Sequence, residues 1–166
     1  MPAPGTPAPR AAEAVAIRPL RRADLAEVVR IHALHTGTRA PAYWEAVLRR
    51  VRREGEALEV ALVAPSATGR GLAGFLVGEV RAFEFGSEPC GWVFAVGVDP
   101  GEARGGVATA LLDEATRRFA AAGVRRVRTM VRRDDVPVLA FFRANGFAGG
   151  AFVQLERSLD AEEEGS

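Results

Sequence analysis

The sequence predicts an α/β domain with a mixed sheet, and three observations carry that prediction. Strand-like and helix-like segments follow one another in the order β α α β β β α β α β. The run Trp92 to Val98 is almost wholly apolar, as a central strand buried on both faces would be. That run passes through Asp99-Pro100-Gly101 and a Gly-rich loop directly into an amphipathic helix.

VAIRPL (Val15 to Leu20) is a short strand, and Asp24 is an N-cap for a helix with Leu25, Val28, Val29 and Leu34 at helical spacing. From Tyr43 to Arg53, Trp44, Val47, Leu48 and Val51 form one stripe and five charged residues cover the rest, which predicts a second helix. Leu58 to Ala64 and Leu72 to Phe85 form an antiparallel hairpin across the turn-rich PSATGRG. After the strand Trp92 to Val98, a helix runs from Val107 to Ala122 with Leu111, Leu112, Ala115 and Phe119 on its apolar face, and Gly123 stops it. Val124 to Val131 is a strand. Asp135 caps a last helix through Arg143, with Pro137 tolerated in its first turn, and Asn145-Gly146 ends it. Phe152 to Leu159 completes the set as a strand.

Length and composition narrow the class. The 166 residues suit one domain, 15–159, between a flexible Pro/Ala-rich tail (1–14) and an acidic tail (160–166). Hydrophobic residues make up 48% and charged residues 26%, which argues against disorder over most of the length. No apolar run approaches the roughly 20 residues that span a bilayer, and MPAPGTPAPR lacks the apolar centre of a secretory signal. A soluble, cytoplasmic protein with no membrane partner is expected. The net charge of +1 does not suggest a nucleic-acid binder. All 22 basic residues are Arg, so phosphate contacts must come from Arg or backbone N–H groups.

The stretch with most chemical content follows the Trp92 to Val98 strand. Gly105 and Gly106 remove side chains where the backbone turns. Val107, Ala108 and Thr109 then present the free N–H groups of a first helical turn, a site suited to a phosphate, with Arg104 beside them. The same loop taken alone reads equally as a plain β–α turn made tight by Gly. It fits neither the Walker pattern nor GxGxxG.

Taken together, IRPLRRADLAEV, AVGVDP with RGGVATALLDEA, and VPVLAFFRANGF resemble three successive motifs of the GNAT (Gcn5-related N-acetyltransferase) superfamily over roughly residues 15 to 159. The resemblance implies a mostly antiparallel mixed sheet flanked by helices and splayed between two central strands, with acetyl-CoA held in the opening. It implies pantetheine pairing along Val96, Gly97 and Val98, and pyrophosphate held by Arg104, Gly105, Gly106, Val107, Ala108 and Thr109. It carries Asp135, Phe142 and Arg143 to the cofactor side as well. Acetyl would pass directly to a primary amine of a small molecule or peptide, without a metal; a homodimer is compatible with it.

Three departures stand out. The family loop reads Gln/Arg-x-x-Gly-x-Gly/Ala, whereas this chain has Ala103 at the first position and its Arg one residue later. Many relatives carry a Tyr five residues before the final Phe, whose hydroxyl can protonate the departing thiolate. Phe142 occupies that position, so general-acid help of about 10²–10³-fold is absent from it. The helix-start Asn of the family is Asp135 here.

A general base is not visible from spacing. Glu84 is the candidate for that role, with Glu79 and Glu88 as neighbouring carboxylates. Trp92 and Met130 occupy strand positions where relatives place bases, and neither can accept a proton. A backbone N–H near Val96 can polarise the thioester carbonyl. His32 and His35 form an incomplete metal pair, Cys90 has no His partner nearby in sequence, and the clusters Arg49, Arg50, Arg52, Arg53 and Arg126, Arg128, Arg132 read as surface charge or ion pairs with Glu. Arg132 and Arg143 are the better candidates for a CoA phosphate. A non-catalytic acyl-CoA-binding module of the same fold is the alternative reading, and nucleic-acid binding a weaker third.

Overall fold

The computed structural model describes residues 14–54, 59–82, 84–103 and 105–159, and the backbone alone at 52–54 and 84. The chain divides into two compact units, Met1–Met130 and Val131–Ser166. Among the described residues no helix is long and apolar enough to cross a membrane.

The first unit holds a five-stranded sheet in the order β1-β2-β3-β4-β5: β1 Arg18–Pro19, β2 Glu59–Pro65, β3 Leu72–Arg81, β4 Cys90–Val98 and β5 Val127–Thr129. The first four strands pair antiparallel and β5 joins β4 in parallel. Helices α1 (Leu25–Thr36), α2 (Pro41–Glu54) and α3 (Val107–Ala121) belong to the same unit.

Side-chain alternation assigns the faces. Ala61, Val63, Phe75 and Val77 pack with Val28, Val29 and Ile31 of α1 and with Trp44 and Val47 of α2. On the opposite face, a Cβ added at Gly74 would meet Val107 and Leu111, and one added at Gly78 or Gly91 would meet the Phe119 ring. The sheet therefore lies between α1 with α2 and α3. Gly78 and Gly91 are glycines because Phe119 occupies the space of their missing side chains, at 2.9 and 2.6 Å respectively.

Several expected elements shift. β1 covers only Arg18–Pro19 of the six residues Val15 to Leu20, although the Leu20 N–H still donates to the Ala61 carbonyl at 3.0 Å. Leu34 does not join the apolar face of α1; it is 55% exposed and Ile31 is buried instead. β3 stops at Arg81, and Glu84 starts a 3-10 turn, Glu84–Gly86, so strand alternation does not govern it. The most buried strand stretches are Glu59–Ala64 of β2 and Leu72–Gly78 of β3 rather than β4, whose Trp92, Phe94, Ala95 and Val96 are only half-buried. Phe94, Ala95 and Val96 lie beyond Gly91–Val93, the stretch where β5 pairs with β4. Val124 to Val131 shrinks to Val127–Thr129.

Asp24 stands at the N-cap position of α1, but its carboxylate does not cap the helix. It accepts two bonds from the Arg18 guanidinium (2.7 and 2.8 Å) and one from the Arg21 N–H (2.8 Å), fixing the chain between β1 and α1. The Arg18 hydrogen bond, followed by the Arg21 N–H, holds the Asp24 carboxyl below its usual 3.8. A lowered carboxyl contributes stability above its unfolded pKa and loses it as pH falls through the folded value. Stability of the wild type is therefore expected to drop more steeply than that of Asp24→Asn between about pH 5 and pH 2. Urea melts across that range check this, and parallel slopes would show the ion pair to be inert.

The second unit contains α4 (Val136–Ala144). Asp135 caps it as expected, its Oδ1 accepting from the Val138 N–H at 3.2 Å. Gly146, at φ +83°, ends the helix, and the Phe147 N–H bonds back to the Phe142 carbonyl at 3.0 Å. The strand expected from Phe152 to Leu159 does not form. That segment is irregular and exposed throughout, including Phe152, Val153, Leu155 and Leu159. Alternating apolar residues make a strand only where a ladder receives them, and the preceding Gly149-Gly150 leaves the register weakly specified.

Candidate active site

The parting of β4 from β5 defines the site. Gly91, Trp92 and Val93 pair with Val127, Arg128 and Thr129, and Thr129 Oγ1 donates to the Val93 carbonyl at 2.9 Å. Val77 pairs with Ala95 and Gly78 with Val93, so Phe94 is an extra residue, a β-bulge at the point of separation. Beyond it β4 keeps β3 on one side. The Asp99 N–H donates to the Ala73 carbonyl at 2.8 Å, which sets the alternation. Gly97 and Ala95 turn their backbone groups toward β3, and Val96 and Val98 turn theirs to the open edge. On that edge His35 Nε2 lies 2.7 Å from the Val98 carbonyl oxygen.

The open edge leads into the Gly-rich loop. A 3-10 turn, Pro100–Glu102, follows Asp99, and Gly106 at φ +71° is the N-cap of α3. A Cβ at Gly106 would meet nothing within 4 Å, yet the positive φ favours Gly there. Among the described residues no side chain caps α3, and no acidic residue lies in its first turn. The Ala110 N–H is bonded to the Gly106 carbonyl at 3.0 Å. The N–H groups of Val107, Ala108 and Thr109 precede it and have no intrahelical acceptor, as the geometry of a helix start dictates. These donors and the helix dipole suit an anion.

Charged side chains from elsewhere hold this loop. Arg30 on α1 donates to both oxygens of Glu27 (3.0 and 2.9 Å) and reaches Asp99 Oδ2 at 2.7 Å. Asp99 Oδ1 accepts from the Gly101 N–H at 2.8 Å, and Glu27 accepts from the Leu72 N–H at 3.2 Å. The Gly101 N–H and Arg30 hold the Asp99 carboxyl below the usual range; Arg30 does the same to Glu27. Ser66, in the β2–β3 turn, donates its hydroxyl to Glu102.

On the α1/α2 face beside the bulge, Glu59, Glu79 and Trp92 stand in one row across three strands. Arg50 bridges Glu59 (2.6 Å) and Glu79 (2.8 Å), and Arg81 binds Glu79 (2.8 Å) while lying over the Trp92 ring. Arg50 thus forms ion pairs with Glu. Both Glu79 oxygens accept from guanidinium groups. Met130 is exposed, and Glu88 stands exposed in the loop before β4. The side chain of Glu84 and the whole of Arg104 lie outside the described residues.

In the second unit Asp135 caps α4, Phe142 is buried with its ring edge-to-face against Phe141 and Phe147, and Arg143 is exposed. Arg132 is engaged by Asp134 at 2.6 Å. His32 packs edge-on against Trp44, and Cys90 is buried with Arg128 Nη1 3.6 Å from its sulfur. The sequence reading located the β4–loop–α3 unit but missed Arg30, Glu27 and Glu59. Their partners are far away along the chain, and no local spacing marks them.

This arrangement is a sheet opened beside a bulge and followed by an uncapped helix start. A sequence profile of the Acetyltransferase (GNAT) family matches residues 62–147, just over half of the chain. The chain belongs to the GNAT acetyltransferase family. A mycothiol acetyltransferase of Saccharomonospora viridis is 38% identical over 63 residues, covering 38% of this chain and 21% of that protein, so the match spans about a fifth of the relative. Among solved structures, the aminoglycoside N-acetyltransferase AAC(6')-Iy in complex with CoA superposes with a TM-score of 0.74 at 18% identity, covering 92% of this chain and 99% of that one. AAC(6')-Ig from Acinetobacter haemolyticus gives 0.70 at 21% identity over 87% and 99%. Glucosamine-6-phosphate N-acetyltransferase from Arabidopsis thaliana gives 0.71 at 16% identity over 89% and 100%. At these identities the likeness establishes the fold.

Proposed function

We propose that this chain is an acetyl-CoA-dependent N-acetyltransferase that passes acetyl directly to the primary amine of a small molecule or peptide. The observation that carries the reading is the continuity between the open β4 edge and the uncapped start of α3 at Gly106. An arm bearing amides fits the first and a diphosphate fits the second, so the residues present suit CoA.

In this reading the N–H groups of Val107, Ala108 and Thr109 bind the pyrophosphate, with Gly105 and Gly106 leaving room for it. Arg104 adds a cation. Val96 and Val98 align the pantetheine, and Gly97 keeps the strand flat against the Phe75 ring, 2.7 Å from where its Cβ would stand. The Val96 N–H polarises the thioester carbonyl. Asp135, Phe142 and Arg143 complete the cofactor side through the family's C-terminal motif. The amine nitrogen attacks the carbonyl carbon, the C–N bond forms, the C–S bond breaks, and CoA leaves as a thiolate. Phe142 has no proton to offer, so solvent protonates that thiolate. The amine proton passes to water or a carboxylate, for which Glu84 is the candidate. The protein works in the cytoplasm, where acetyl-CoA is supplied.

Calorimetry with CoA is expected to show saturable binding, and thiol release from acetyl-CoA is expected to depend on an added amine. Absence of CoA binding would overturn the reading altogether. Binding without amine-dependent thiol release across a broad panel would leave an acyl-CoA-binding module in place of an enzyme.

A further inference from the structure

We propose that Arg30 is a positioning residue for the phosphate-binding loop, acting through Asp99 and resting on the CoA reading above. The relay is continuous. The Leu72 N–H donates to Glu27, Glu27 accepts both Arg30 bonds, Arg30 reaches Asp99, and Asp99 accepts from the Gly101 N–H. It ties the start of β3 and the middle of α1 to the first turn of the loop that ends at Gly106.

The need for such a tie follows from the sequence. Ala103 stands where relatives carry Gln or Arg, and the chain contains no Lys. The loop must therefore bind anions largely through backbone N–H groups, which have no side-chain torsions with which to correct a misplaced loop. Their aim is set by where Asp99 and Gly101 are held. Arg30 is suited to hold them because its planar fork engages two carboxylates at once, which a single ammonium cannot do in the same geometry. Without the guanidinium, Glu27 and Asp99 would face each other as like charges and move apart, carrying Gly101 with them.

The relay is partly exposed, at 41% for the Arg30 side chain, so its loss should disturb folding little. Arg30→Met is expected to raise Kd for CoA and KM for acetyl-CoA about tenfold or more, with kcat and the melting temperature nearly unchanged. The same variant should leave kcat/KM with S-acetyl-pantetheine, which lacks the pyrophosphate, within about twofold of wild type. Arg30→Lys should recover only part of the CoA affinity. Asp99→Asn should weaken CoA by itself and add little in the Arg30→Met background, because both act on one contact.

Equal Kd values for CoA in wild type and Arg30→Met would overturn the inference. So would an equal loss with S-acetyl-pantetheine, since that marks a general structural role. A wild type that binds no CoA would overturn the underlying reading as well, and is distinguishable because it needs no variant. If Arg30→Met fails to fold, Asp99→Asn, which retains the acceptor for the Gly101 N–H, decides the question by the same two donors.

Discussion

Gly106→Asp is expected to reduce affinity for CoA about a hundredfold or more while leaving the fold in place. Asp is among the few residues that tolerate a left-handed backbone, and the space around Gly106 is open, so the folding cost is small. The new carboxylate, however, would lie at the α3 N-terminus, beside the donors of Val107, Ala108 and Thr109. It would compete for them within the chain and repel a phosphate. Losing two charge-assisted hydrogen bonds costs about 3 kcal/mol, which is roughly two orders of magnitude in Kd. Calorimetry with CoA, paired with a thermal melt, reads both halves of the prediction. Unchanged affinity would mean that the helix start does not bind the cosubstrate.

The largest effect on stability is expected at Phe119. Its ring is 1% exposed and fills the space over both Gly78 and Gly91. Phe119→Ala should cost about 3–5 kcal/mol, a large share of the stability of a domain this size. Gly91→Ala in the wild type should also destabilise, by about 1–3 kcal/mol, because a Cβ there would fall 2.6 Å from ring atoms. In the Phe119→Ala background the sign should reverse, since the added methyl then enters a cavity. Urea denaturation of the two single variants and the double variant measures this coupling. Additive losses would show that the ring does not dictate the glycine.

The features legible in the sequence were those written in local pattern. The stripe Trp44, Val47, Leu48 and Val51, the face Leu111, Leu112, Ala115 and Phe119, the Asp135 cap and the Gly146 stop all depend on spacings within a few residues, and all appear in the structure. The helix start at Val107 was legible for the same reason. Pairing was less so. The apolar run in β4 looked like a doubly covered strand, but Phe94, Ala95 and Val96 lie beyond the stretch that β5 pairs. The alternating C-terminal segment looked like a strand and has no ladder. Asp24 illustrates a different limit, since its position suited a cap while a guanidinium six residues earlier claimed its oxygens. Of the candidate site, the motifs located the strand, loop and helix start that the structure places in sequence from β4 to α3. The side chains proposed to aim the loop come from α1, where Arg30 reaches Asp99 and is itself held by Glu27, contacts set by tertiary geometry alone.

The bulge at Phe94 also bears on solubility. Past it, within the first unit, β4 turns backbone groups of Val96 and Val98 away from β3, and His35 engages that edge at Val98. In the proposed reading a pantetheine arm satisfies the edge; the strand of another polypeptide would do so too and would begin an aggregate. The resting concentration of CoA would therefore do more than load the enzyme. By occupying an unfinished ladder, the cosubstrate of the proposed reaction would also hold the protein in its dispersed form.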